Sequence, residues 1–222
     1  MAETGKRSRS IIGIASSMYM ALSYLAGIII FVVILRYPEM KQDNDKVKTI
    51  VEMKPMAYLT NLILYVFFGP ALVLFILYLN SVLENNGSVI ARFSSIIGYI
   101  WAGSLTASGM IANGAIEPVS RLFSENPDQA INLWRMLDIV SLSIGNGNGE
   151  ILGGLTTAGF GLALLIEERF KRGLGVYGII VGLIGLLSLI PAFVDIAAVF
   201  GIVQLVWFLL IGFSPAGEKR IA

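Results

Sequence analysis

Apolar residues run almost unbroken from Ile11 to Leu35, and similar runs recur at about 57–79, 93–116, 150–166, 174–190 and 196–213. A helix needs about 20 mostly apolar residues to cross a bilayer. The pattern therefore predicts an all-α, polytopic transmembrane helix bundle of six spans. A secretory signal has an apolar region of roughly 7–15 residues. The first run is longer, so it reads as a retained span.

The polar stretches between the runs are equally informative. Arg36 to Met56 carries Lys41, Asp43, Asp45, Lys46, Lys48, Glu52 and Lys54, and mixed charge of this kind marks a solvated face. It reads as an outer loop with room for a short helix. Pro70 falls in the middle of the second run and cannot donate to the carbonyl of Val66, so a kink is expected there. Glu84-Asn85-Asn86-Gly87 reads as a turn. Glu117-Pro118 is expected to end the third span, because the residue before proline is driven out of helical geometry.

Residues 119–144 follow a different pattern. Arg121, Glu125, Asn126, Pro127 and Asp128 suggest an exposed loop, after which Ile131, Trp134, Leu137 and Ile144 fall near one helical face. Arg135 and Asp138 interrupt an apolar segment already too short to span. The expectation is a short interfacial or re-entrant helix near 129–144, with Trp134 as its anchor. Tyr37, Tyr58, Tyr78, Tyr177 and Trp207 likewise suit interfacial belts.

Composition narrows the chemistry. The chain has 222 residues, 56% hydrophobic and 14% charged, with a mean hydropathy of +0.78; a length of this order suits one integral membrane domain over 1–222. There is no Cys and no His, which excludes disulfides, thiolate and imidazole metal sites, iron–sulfur clusters and Ser-His triads. No catalytic residue, metal site or cofactor is assigned. A net charge of +1 lacks the clustered basic footprint of a nucleic-acid binder. Lys6, Arg7, Arg9, Arg92, Arg169, Lys171, Arg172, Lys219 and Arg220 fall on one proposed side. By the positive-inside rule both termini are expected in the cytoplasm, with the chain in a bacterial inner or plasma membrane.

Small residues recur every four positions at Ser94, Gly98, Ala102 and Thr106 and at Gly149, Gly153, Thr157 and Gly161, and glycines line the fifth run at Gly178, Gly182 and Gly185. Such seams let helices approach closely, within the chain, with another membrane subunit or with a second copy. The lipid bilayer is the other expected partner. Gln204 and Asn61 are expected to make interhelical hydrogen bonds. Gly145 to Gly149, although glycine-rich, lacks the Lys and Ser/Thr of a phosphate loop.

Ionisable groups at membrane level are costly and commonly functional. Here they are Glu117, Asp138, Glu150 and Asp195, accompanied by the amides Asn113, Asn146 and Asn148. In the six-span arrangement all lie near the outer ends of helices, where they could form an outward-facing acidic vestibule for a cation or polar ligand. Arg121 and Arg135 are the available counter-charges, and Arg135 has i,i+3 spacing to Asp138. The plainer reading leaves each acid at the headgroup boundary, with Asp195 as an N-cap and Glu150 in a first helical turn.

The basic start leading into Ile12-Gly13-Ile14-Ala15, the Leu25-Ala26-Gly27 step, the long first outer loop and the glycine-rich later spans resemble a group of uncharacterised bacterial six-helix integral membrane proteins. The resemblance implies the architecture, and carries no activity or site residues. A small non-enzymatic membrane protein is the expected function, either free-standing or an accessory subunit of a larger complex. A transporter or channel-like protein using the vestibule is the alternative. An intramembrane enzyme working through a carboxylate pair ranks last.

Overall fold

A computed structural model describes residues 2–83, 88–145, 149–168 and 170–214, with side chains from Ile11 onward except Pro38. The Glu84–Gly87 turn, Asn146, Asn148, Arg169, Lys219, Arg220 and the side chains of Lys6, Arg7 and Arg9 lie outside the described residues. The described residues are mostly helical, and no strand occurs among them. In chain order they form α1 (Ala2–Ile28), a π-helical segment (Ile29–Ile34), a short 3-10 turn (Tyr37–Glu39), α2 (Asp43–Glu52) and α3 (Lys54–Asn61). A second π-helical segment (Leu62–Val66), α4 (Phe68–Val82), α5 (Val89–Glu125) and α6 (Pro127–Gly145) follow. The chain ends with α7 (Ile151–Glu167), α8 (Arg172–Leu187), a 3-10 turn (Pro191–Phe193) and α9 (Ile196–Phe213).

Four helical stretches are long and apolar enough to cross a membrane: Ile11–Ile34, Lys54–Val82, Val89–Glu125 and Ile196–Phe213. The other two expected spans correspond to α7 and α8, which are shorter at 17 and 16 residues. The polar connection after Arg36 contains a short helix of the kind for which the sequence left room. This is α2, whose Val47 is fully buried with Val119, Ala130 and Trp134.

Two of the long helices are locally underwound into wider π turns. Leu35 N–H reaches Ile30 O at 2.8 Å, and Phe67 N–H reaches Leu62 O at 2.9 Å, each five residues back. The first π segment stops at Arg36, whose φ of 49° lies in the left-handed region rarely used by non-glycine residues. The second lies just before Pro70 on the continuous Lys54–Val82 stretch. The irregularity expected from Pro70 thus includes an inserted π turn.

Glu117-Pro118 does not end α5, which continues to Glu125 with Pro118 inside it. Proline in a helix interior costs ~3 kcal/mol. Burial of Val119 against Val47, Ala130 and Trp134 opposes that cost, and Gly114, four residues before the proline, has open space around it. The break comes at Asn126, where the Asn126 side chain accepts from Gln129 N–H at 3.2 Å and Pro127 starts α6.

The chain divides into two compact units, Met1–Leu22 with Pro70–Ala102 and Asn148–Ala222, and Ser23–Gly69 with Gly103–Gly147. In the first unit α7 and α8 run antiparallel with their backbones nearly touching. A Cβ at Gly161 would lie 2.7 Å from Gly175 O, and one at Gly182 would lie 2.5 Å from both Gly154 O and Ala158 N. The seam facing α8 is therefore Gly154-Ala158-Gly161. Gly153 instead meets Phe200 and Trp101, while Thr157 Oγ1 donates to Gln204 Oε1 at 2.9 Å. Tyr78 and Trp207 are core residues here and not belt residues. Trp207 is buried, stacks edge-on against Phe75 at 5.9 Å and donates from Nε1 to Leu174 O at 3.3 Å.

The second unit packs α2 against α6 and the C-terminal half of α5 around the Val47, Val119, Ala130 and Trp134 core. Gly27, near the end of α1, and Gly109, midway along α5, bring their helices onto the second π segment. A Cβ would lie 2.9 Å from Leu64 Cδ2 at Gly27 and 2.5 Å from Tyr65 Cβ at Gly109.

Candidate functional site

The second unit encloses a cavity of about 270 Å³. Its walls follow from helical periodicity. Ser108, Ala112, Ala115, Ile116 and Val119 form one face of α5, and Trp134, Leu137, Asp138, Ser141 and Leu142 form one face of α6. The small side chains on α5 leave the space that the larger groups on α6 line. Phe31 comes from the first π segment and Tyr65 from the second, so both π turns aim an aromatic ring at the same cavity. π turns are rare and often found at functional sites.

A few polar groups interrupt this mostly apolar lining. Ser108 and Ser141 satisfy each other, with Oγ–Oγ at 3.0 Å and Ser141 Oγ donating to Ser108 O at 2.9 Å. Gly145, one turn beyond Ser141, gives Ser108 room, since a Cβ there would fall 2.8 Å from its Oγ. Thr60 donates to Met56 O at 2.7 Å. Tyr37, Asn61 and Asp138 also line the cavity, and among the described residues Asp138 makes no salt bridge. Burial pushes the Asp138 carboxyl above the usual carboxylate range. The same cause, reinforced by Asp138, pushes the Tyr37 phenol up to about 12.

Charged groups of α2 and α6 lie beside the cavity. Arg135 is held by Asp43, to which its Nε and Nη2 donate at 2.9 and 2.7 Å. This hydrogen bonding holds the Asp43 carboxyl below its ordinary range. The expected Arg135–Asp138 pair is replaced by Arg135–Asp43, because α2 brings a carboxylate to the outward side of α6. Lys46 pairs with Asp43 at 3.5 Å. Its ammonium also sits 5.3 Å from the Tyr37 ring centroid and 5.8 Å from that of Trp134.

The other sequence candidates are placed separately. Glu117 is exposed and paired with Arg121 at 3.1 Å and Lys54 at 3.3 Å, so Arg121 does serve as a counter-charge, in a surface cluster off the cavity lining. Asn113 belongs to the second unit, with Oδ1 buried and unpaired among the described residues. Glu150 and Asp195 belong to the first unit. Each occupies the residue before a helix, and neither side chain caps it. Instead, Glu150 N–H donates to Ser188 Oγ at 2.9 Å. Asp138 is the one acid of the expected vestibule that lines the cavity.

Tyr37, Asn61 and Trp134 carried other readings in the sequence, as belt residues, an interhelical amide and an anchor. Asp43 and Lys46 were placed in a solvated loop. The available signal was the apolar spacing of Val47, Ile50 and Val51 within that charged stretch, which gives α2 a face to bury. The arrangement can hold a small, mainly apolar molecule and offer it one carboxylate, one phenol and one amide. No protein-family model, characterised protein or solved structure matches the chain.

Proposed function

We propose that this protein is a multi-pass membrane protein that binds a small molecule in the cavity of its second unit, a binding protein of the transporter or channel-like kind. The carrying observation is the cavity itself, with aromatic side chains from two π turns and a half-buried acid in its wall. The lining is that of a small-molecule site, mostly apolar with a few placed polar groups, and the volume lies just below the usual range. A purely structural subunit needs no such space. Several glycines that could have formed a subunit interface, Gly154, Gly161, Gly175 and Gly182, are used within the chain between α7 and α8.

The reading is tested with tert-butylbenzene, a neutral probe of suitable size, at measured free concentration in nonionic detergent. It should raise the Tm of the wild-type protein, and Ala112→Trp, which fills the cavity from α5, should remove that rise. Absence of a shift in the wild type, or an equal shift in the variant, sinks the proposal.

In membrane terms the proposal keeps six spans, with α7 and α8 crossing as a short glycine-packed pair and both termini cytoplasmic. Because the chain has no native Cys, single cysteines report sidedness directly. In intact cells an impermeant maleimide should label Asp45→Cys and leave Lys171→Cys unlabelled until the membrane is opened. Labelling of both, or the reverse pattern, rejects this topology.

A further inference from the structure

We propose that the cavity of the second unit selects a small organic monocation, a quaternary ammonium or alkylamine, with its charge set against Asp138 and the aromatic rings of Tyr37 and Trp134. This inference rests on the cavity being a binding site and specifies its ligand class. Among the described residues Asp138 is the sole carboxylate in the lining, and no Lys or Arg lines the cavity beside it. An ionised carboxylate withdrawn from water without a partner is expensive. The nearest guanidinium cannot relieve it, because Arg135 spends two hydrogen bonds on Asp43. Lys46 acts on Asp138 only from outside the lining, so a cation entering the cavity would supply the counter-charge that the lining itself lacks.

The rings point to the same class. Tyr37 and Trp134 already receive a cation from the chain, the Lys46 ammonium at 5.3 and 5.8 Å from their centroids. Aromatic faces at that range attract ammonium groups through the ring quadrupole. Lys46 approaches the pair without lining the cavity; its charge reaches Asp138 from outside, but its ammonium is paired with Asp43 at 3.5 Å. Ile50, Ala112 and Ile116 supply an apolar wall for the rest of the ligand. A bare metal ion suits the site less well, since no cluster of three acidic metal-ligating side chains exists among the described residues. An anion would face Asp138.

The test compares phenyltrimethylammonium with tert-butylbenzene, its neutral isostere, by titration at matched free concentration. The quaternary charge is permanent, so pH does not confuse the comparison. The cation should bind the wild type on the order of tenfold tighter than the isostere. Asp138→Asn, close in volume, should erase that preference while still binding tert-butylbenzene, which also shows that the variant is folded. A preference that survives Asp138→Asn overturns the assignment. Binding of the isostere without preference for the cation overturns it too, and leaves the cavity reading intact. If neither probe binds, both readings fall.

Discussion

Gly182→Leu should leave little or no folded protein. A Cβ at this position would lie 2.5 Å from Ala158 N and from Gly154 O, and those are backbone atoms that no rotamer change can move. The α7 and α8 axes would have to separate along the length of their contact. Overpacking of ordinary cores costs about 1–3 kcal/mol where side chains can shift. Here the whole helix pair must shift, and the loss should exceed ~3 kcal/mol, a large part of a typical stability of about 5–15 kcal/mol. The measurement is the yield of monodisperse protein in mild detergent together with its Tm. Gly103→Ala is the matched control, because nothing lies within 4 Å of a Cβ there. Removing a glycine from a helix interior at an open position should be neutral or stabilising by up to ~1 kcal/mol. A Gly182→Leu protein that folds like the wild type would disprove the contact.

Trp134→Ala should cost about 3–5 kcal/mol, the usual range for truncating a large buried aromatic, and should free α2 from α6. The Trp134 ring joins two functions, closing the core with Val47, Val119 and Ala130 while also walling the cavity. Limited trypsin digestion reads the release of α2 as faster cleavage after Lys46 and Lys48, and the Tm reads the lost stability. Arg135→Ala provides the comparison. It removes the hydrogen-bonded pair with Asp43, but that pair is partly exposed at 52% and 29%, and exposed pairs contribute little to stability. The contrast decides whether apolar burial or the ion pair holds α2 in place. Equal effects of the two substitutions would mean that the ion pair matters far more than its exposure allows.

Helix content and membrane character were legible along the chain because they depend on local runs of apolar side chains. Long stretches such as Ile11–Ile34 need no knowledge of their neighbours to be recognised. Breaks were less legible. Glu117-Pro118 carries a strong local stop signal, yet α5 passes through it because residues beyond it, beginning with Val119, are buried by α2 and α6. Pro70 signalled an irregular second span, but the π turn before it also involves the close approach of Gly109 to Tyr65, a pairing between residues distant in the chain.

The candidate site shows the same boundary between local and non-local information. Asp138 was legible as one of four acids at membrane level, in an apolar segment that also held Arg135, and Glu150 was the more prominent candidate; the preference for a small non-enzymatic protein rested on the absence of His and Cys. Which acids act together was a different matter. Glu117, Glu150 and Asp195 resemble Asp138 in local sequence, but their helices take Glu117 to a surface pair and place Glu150 and Asp195 in the other unit. Arg135 has the right spacing for Asp138 and pairs instead with Asp43, which comes from α2. By itself, the sequence determined an apolar, all-helical chain whose few buried charges deserve testing, since hydropathy and helical period act over neighbouring residues. Only the tertiary structure decided that Asp138 faces a cavity with Tyr37, Tyr65 and Trp134, because a cavity is made by side chains from separate helices and is fixed by how those helices pack.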